Sequence, residues 1–194
     1  STMARSHLSE AEGHYLLAFA RFTIEDALGA PTHAPQVPPS LDRLREAGAA
    51  FVTLTVRGGA LRGCIGSLIA HRPLLEDVRA NALAAAFEDP RFPPLDASEL
   101  SDLTVEVSVL SQPEPLDYGD TKQLVSLLRP GIDGVVIELG RHRATFLPQV
   151  WEQLPLPEEF LSHLCYKAGL PANAWRQGDL RVLTYQVQKF EETV

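Results

Sequence analysis

The combination best suited to covalent chemistry in this 194-residue chain is a thiol set between glycines and beside a guanidinium, in Leu61-Arg62-Gly63-Cys64-Ile65-Gly66. The hexapeptide follows the turn signal Gly58-Gly59 and reads as the second strand of a hairpin. Strand alternation sets Leu61 and Ile65 toward a core and puts Ala60, Arg62 and Cys64 on the opposite face. A fixed positive charge beside a thiol lowers its pKa and raises its thiolate fraction. Cys64 is therefore a candidate nucleophile or covalent carrier, with Arg62 stabilising the thiolate or a substrate anion. The competing reading makes Cys64 a small buried hydrophobe. Glycines inside a strand cost backbone entropy and remove packing groups. Something must approach this backbone closely, and a ligand, a bulge or a tightly packed helix would each suffice. Glu106 lies with Thr104 and Ser108 opposite an all-valine face, where it could be a general base or the partner that holds Arg62.

Other residue types carry less. Cys165 shares a helical stripe with Leu161, Leu164 and Ala168, which is what core packing requires. A bridge between the two cysteines is conceivable, and a reducing compartment argues against it. The histidines show no ligand spacing with one another or with cysteine, so no metal site is expected, and no motif calls for a cofactor. Gly58 to Gly66 lacks the Gly-Lys-Ser/Thr ending of a phosphate loop. Arg57 and Arg62, strengthened by His71-Arg72-Pro73 ahead of a helix, could still form a generic anion site. Arg141-His142-Arg143 reads as a solvated basic turn.

These residues need elements to position them. Ser9 and Glu12 have capping-box spacing, and apolar residues recur at helical intervals from there to residue 28. Pro31, Pro35, Pro38 and Pro39 make 29–40 a proline-rich surface linker. Ser40 can cap a short helix through Ala47, with Gly48 stopping it. Strands are expected from Ala50 to Val56, across the hexapeptide, and from Leu103 to Leu110; a helix between them runs from Pro73 to Phe87. Further on, the pattern gives a helix over 121–128, strands over 134–139 and 143–147, a helix from Pro157 to near Gly169 and one last strand over 180–190. Irregular alternation with short hairpins implies an α+β fold with antiparallel pairing.

The totals bound the function. The net charge of −8 repels phosphate backbones, so nucleic acid is a poor partner and an RNA-modification role ranks last. No apolar run reaches the roughly 20 residues of a membrane span, and no apolar leader is evident, so a cytoplasmic location is expected. Ser1-Thr2-Met3 has the look of an expression scar.

The hexapeptide also resembles the signature of the AMMECR domain, protein A of the AmmeMemoRadiSam system. The likeness continues through Ala84-Ala85-Ala86-Phe87-Glu88-Asp89-Pro90-Arg91-Phe92-Pro93-Pro94-Leu95 and Val105-Glu106-Val107-Ser108-Val109-Leu110-Ser111. It returns at Gly131-Ile132-Asp133-Gly134-Val135, Phe146-Leu147-Pro148-Gln149-Val150-Trp151 and Phe160-Leu161-Ser162-His163-Leu164-Cys165-Tyr166. The resemblance implies a single domain over 9–192 built of two subdomains with a cleft, near which the cysteine motif is expected. It implies as partners a Memo-type protein and a radical S-adenosylmethionine enzyme, but no reaction. The resulting candidates are Cys64, Arg62 and Glu106 for catalysis on an unknown small molecule, and Gly63, Gly66 and Arg91 for binding. The alternative is a non-catalytic module that presents the hexapeptide groove to a partner protein.

Overall fold

The structure is a computed structural model that describes residues 7–193. The supposed expression scar at 1–3 lies outside the described residues. Helix α1 (Glu10–Ala27) starts on a reciprocal cap: Ser9 Oγ accepts the Glu12 N–H at 3.1 Å and Glu12 Oε1 accepts the Ser9 N–H at 2.7 Å. This satisfies two of the donors a helix start leaves free. Residues 28–41 then contain neither helix nor strand.

Helix α2 (Asp42–Arg45) is shorter than the sequence suggests, and Gly48 does not stop it. The chain is already extended at Ala47, because Ala47 and Gly48 pair with Pro73 and Arg72. Strand β1 (Ala47–Val56) turns through Gly58 and Gly59, both in the left-handed region, into β2 (Ala60–Gly66). The two-residue β3 (Arg72–Pro73) leads into α3 (Leu74–Phe87), and β4 (Thr104–Leu110) follows. The next stretch holds β5 (Glu114–Pro115), α4 (Thr121–Leu127), β6 (Gly134–Leu139), β7 (His142–Phe146) and α5 (Pro157–Lys167). The expected last strand is two, β8 (Arg181–Tyr185) and β9 (Val187–Glu191). They part at Gln186, whose amide donates to Asp133 Oδ1 at 3.0 Å, and they join different sheets.

Two compact units result. The first comprises the described residues up to Ser111 together with those from Gln188 onward, and the second spans Gln112–Val187. In the first, strands run β2-β1-β4-β9 with β3 attached to β1, and the β2-β1-β4 pairings are antiparallel. Val52, Leu54, Val105 and Val107 are fully buried in one cluster with Leu16 and Ile24 of α1 and Val78 and Ala82 of α3. Strand alternation thus leaves Thr53, Glu106 and Ser108 on the face away from these helices.

The second unit orders its strands β5-β8-β6-β7 over a core holding Ile137, Val182, Phe160 and Trp175. Trp151 stacks on Phe160 with centroids 3.7 Å apart and donates its indole N–H to Asp133 O at 2.7 Å. Cys165 is buried in this core as the helical stripe implies, and burial pushes its thiol pKa up. Both cysteines are free.

A buried carboxylate fastens one end of the first sheet. Asp77 of α3 is fully buried, and its Oδ2 accepts the Ala50 N–H at 2.9 Å. Its Oδ1 accepts Ser67 Oγ and Arg72 Nε, each at 2.7 Å. Asn81, one turn on, donates to Ala50 O at 2.9 Å and to Asp77 Oδ2 at 3.1 Å. Every charge and amide in the cluster has a partner, which is the condition for burying it.

Candidate functional site

Register decides what surrounds Cys64. Leu54 pairs with Gly63, but Thr55 pairs with Leu61, so Arg62 is the extra residue of a bulge. Alternation breaks there, and with it the expected pairing of guanidinium and thiol on one face. Leu61, expected inside, is 41% exposed, whereas Arg62 is only 8% exposed. The Arg62 guanidinium forks onto Glu99, at 2.7 and 3.1 Å, and lies 6.0 Å from the centre of the Phe92 ring. Arg62 in turn holds the Glu99 carboxyl below the usual carboxylate range. Arg62 Nη1 is buried with no hydrogen-bond partner among the described residues.

The neighbours of Cys64 come from elsewhere. Its direct cross-strand partner is Thr53, with Oγ1 3.2 Å from Sγ. Thr53 pairs on its other side with Glu106, and Glu106 Oε1 meets Lys189 Nζ of β9 at 3.3 Å. One polar row therefore crosses four strands: thiol, hydroxyl, carboxylate, ammonium. Neighbouring strands lie roughly 4.8 Å apart, so thiol and carboxylate are separated by about 10 Å. Glu106 neither holds Arg62 nor reaches the thiol directly. Thr55 and Thr104 pair with each other on the same face, and Phe51 pairs with Ser108.

The segment after α3 supplies the guanidinium that does lie beside Cys64. Asp89, 4% exposed, accepts the Cys64 N–H on Oδ2 at 3.0 Å. Arg91 clamps Asp89, through Nε to Oδ1 at 3.1 Å and Nη2 to Oδ2 at 2.8 Å, and Nη2 also reaches Cys64 O at 3.4 Å. The Arg91 side chain hydrogen bond, joined by the Cys64 N–H, holds the Asp89 carboxyl far below the ordinary carboxylate range. Arg91 is raised by Asp89 foremost and also by the charge of a Cys64 thiolate. The binding candidate Arg91 and the nucleophile candidate Cys64 thus belong to one cluster.

The two glycines are accounted for by the protein's own packing. A Cβ on Gly63 would lie 2.1 Å from Ala85 O of α3, and one on Gly66 would strike the Phe51 ring at 2.1 Å. Bulge and tightly packed helix are both present, and the close approach that the glycines permit is made by α3 and Phe51. The anion site suggested by the basic residues does not assemble either. Arg57 pairs with Asp102, Arg62 with Glu99 and Arg72 with Asp77. The turn at Arg141-His142-Arg143 is exposed. Among the described residues no three His, Cys, Asp or Glu side chains come together as a metal site, and no helix is long and apolar enough to cross a membrane.

Thr53, Asp89 and Lys189 escaped sequence reasoning. Thr53 could be found only from the register of β1 on β2, and Lys189 only from the adjacency of β9 and β4. Asp89 had a signal, its place in an Asp-Pro-Arg-Phe-Pro-Pro turn directly after a helix near the hexapeptide.

By fold and site this is an α+β protein whose first sheet carries a thiol on a polar face, beside an ion pair from the segment after α3. The AMMECR1 family profile matches residues 17–190, and the chain belongs to that family. A protein of Thermofilum pendens is 42% identical, covering 96% of this chain and 92% of that protein. One of Methanothermobacter thermautotrophicus is 41% identical, covering 98% and 99%. The crystal structure of an uncharacterised protein from Pyrococcus horikoshii superposes with a TM-score of 0.73 at 36% identity, covering 95% of this chain and 93% of that one.

Proposed function

We propose that this protein performs thiol chemistry on the polar face of its first sheet, with Cys64 as the nucleophile. The observation that supports this reading is the 3.2 Å approach of Thr53 Oγ1 to Cys64 Sγ. A hydroxyl there can donate to the sulfur and hold it in position to attack electrophilic carbon. Asp89 fixes the Cys64 backbone, so the sulfur is held in place before any substrate arrives. Glu106 and Lys189 lie far enough along the row to act on a bound substrate instead of on the sulfur. Arg62 serves as a positioning residue, holding the bulge through Glu99.

The test is alkylation by iodoacetamide over a pH series, with the modified cysteine located by peptide mass spectrometry. Cys64 should react at pH 7 faster than glutathione, and Thr53→Val should slow it about threefold to tenfold, the loss of one hydrogen bond to a charged group. A Cys64 that reacts no faster than glutathione at any pH removes the nucleophile. It would leave the second reading, an assembly module, which is favoured by the two glycines being occupied by the protein's own groups. Family membership extends the proposal to a cytoplasmic protein working with a Memo-type protein and a radical S-adenosylmethionine enzyme. Co-purification of either with the tagged full chain tests that part.

A further inference from the structure

We infer that the molecule bound at Cys64 carries a compact anionic group, a carboxylate or a phosphate, and that Arg91 receives it. This rests on the reading of Cys64 as a reactive thiol and adds the substrate class. Three observations lead to it. The Arg91 side chain is 55% exposed even though it is tied down, so its guanidinium is both accessible and fixed. Its Nε and Nη2 are spent on Asp89 and Cys64 O, whereas Nη1 has no acceptor among the described residues and keeps two donors for a ligand. The Arg91 guanidinium lies against the nucleophile's own residue, with Nη2 3.4 Å from Cys64 O, so an anion on Nη1 would sit beside Cys64.

Asp89 does not cancel this field at the surface. Its carboxylate is buried, and its two oxygens already accept the Cys64 N–H, the Arg91 N–H and the Arg91 side chain. The pair is thus oriented, with the negative end inside and a preorganised cationic edge outside. The two N–H groups left on Nη1 can each donate a charge-assisted hydrogen bond to an oxygen of a carboxylate or phosphate. The rest of the molecule works against anion capture, since the net charge is −8. Selection of an anion at Cys64 must therefore be local.

Iodoacetate and iodoacetamide differ at one group, a carboxylate against an amide, and alkylate by the same step. The thiolate sulfur bonds to the methylene carbon, the carbon–iodine bond breaks, iodide leaves and the thiol proton passes to buffer. The rate ratio of iodoacetate to iodoacetamide at Cys64, divided by the same ratio for glutathione, isolates recognition of the anion from reactivity of the sulfur. The expected value is on the order of ten, equivalent to one hydrogen-bonded charge contact. It should fall as salt rises from 0.02 to 0.5 M and approach one in Arg91→Gln. The paired variant Asp89→Asn/Arg91→Gln, which leaves no buried charge unpartnered, should behave likewise.

Salt gives a second sign test on the unaltered protein. If only the net charge of −8 acts, the ratio starts below one and rises with salt as repulsion is screened. A ratio at or below one, or one that rises with salt, overturns the anionic substrate class and leaves the reactive thiol standing. Failure of Cys64 to react with either reagent sinks the thiol reading, and this inference with it.

Discussion

Replacing Gly63 with alanine puts the close packing of α3 on β2 to a quantitative test. The new methyl carbon would lie 2.1 Å from Ala85 O, whereas ordinary contact begins at 3.4 Å, so strand and helix must separate by about 1.3 Å. The obstacle is backbone in mid-packing, not the end of a flexible side chain. Inserting one carbon into a filled core costs about 1–3 kcal/mol, and a rigid neighbour places this case at about 3. Gly63 is not in the left-handed region, so alanine regains about 0.4–1 kcal/mol by restricting the unfolded chain. The net loss is about 2 kcal/mol. At about 2–4 °C per kcal/mol for a chain of this size, Tm should fall by about 4–8 °C. Gly66→Ala meets an equally short contact, but with the Phe51 ring, which can turn away, so it should lose less than half as much. Differential scanning calorimetry of both variants is the assay. If Gly63→Ala melts within about 1 °C of the parent, or loses less than Gly66→Ala, the packing account of the hexapeptide is wrong.

Asp77→Ala strands the Ala50 N–H, Ser67, Arg72 and Asn81 around an empty position; breaking a buried charged cluster costs about 3–5 kcal/mol, so a Tm drop beyond about 6 °C is expected by circular dichroism. Acid should unfold the protein partly through Asp89 and Glu99, whose folded pKa values are depressed below 3.8 and 4.5. Their contribution is complete above those values and shrinks as pH falls from them toward the lower folded ones, so the urea midpoint should start to drop near pH 4.5 and still be falling below pH 3. Asp89→Asn should flatten that drop, and an unchanged slope would contradict the assignment. Ser9→Ala removes the reciprocal cap of α1 and should cost about 1 kcal/mol by urea titration, with Ser9→Asp close to neutral.

Local signals carried most of the fold. The Ser9 and Glu12 cap, the turn at Gly58-Gly59 and the valine alternation of β4 each depend on neighbours within a few residues, so they are visible in the chain. The site was legible in its members and illegible in its arrangement. Cys64, Arg62, Glu106 and Arg91 could be named from residue type, but the bulge at Arg62 is fixed by how β1 pairs with β2, and no local pattern announces it. That one extra residue sent Arg62 to Glu99 and left Arg91 as the cation near the thiol. Gln186 misled in the same way, since a continuous β pattern from 180 to 190 cannot show that its halves join different sheets. No local pattern marks Asp77, because it is the convergence of β1, β3 and the Ser67 turn that makes it a buried hub.

The ion pair at Asp89 and Arg91 has a consequence for solubility. Strand β2 is the outer member of its sheet, and an outer strand offers unpaired N–H and C=O groups to any passing strand. At Cys64 those two groups already point at side chains: the N–H at Asp89 and the C=O at Arg91. A foreign strand pairing at Cys64 would have to evict a charged pair, one member of it buried, before it could hydrogen-bond there. The segment that sets Arg91 beside Cys64 therefore also closes the middle of the border, so one ion pair both fixes the Cys64 backbone and shields the sheet edge from a foreign strand.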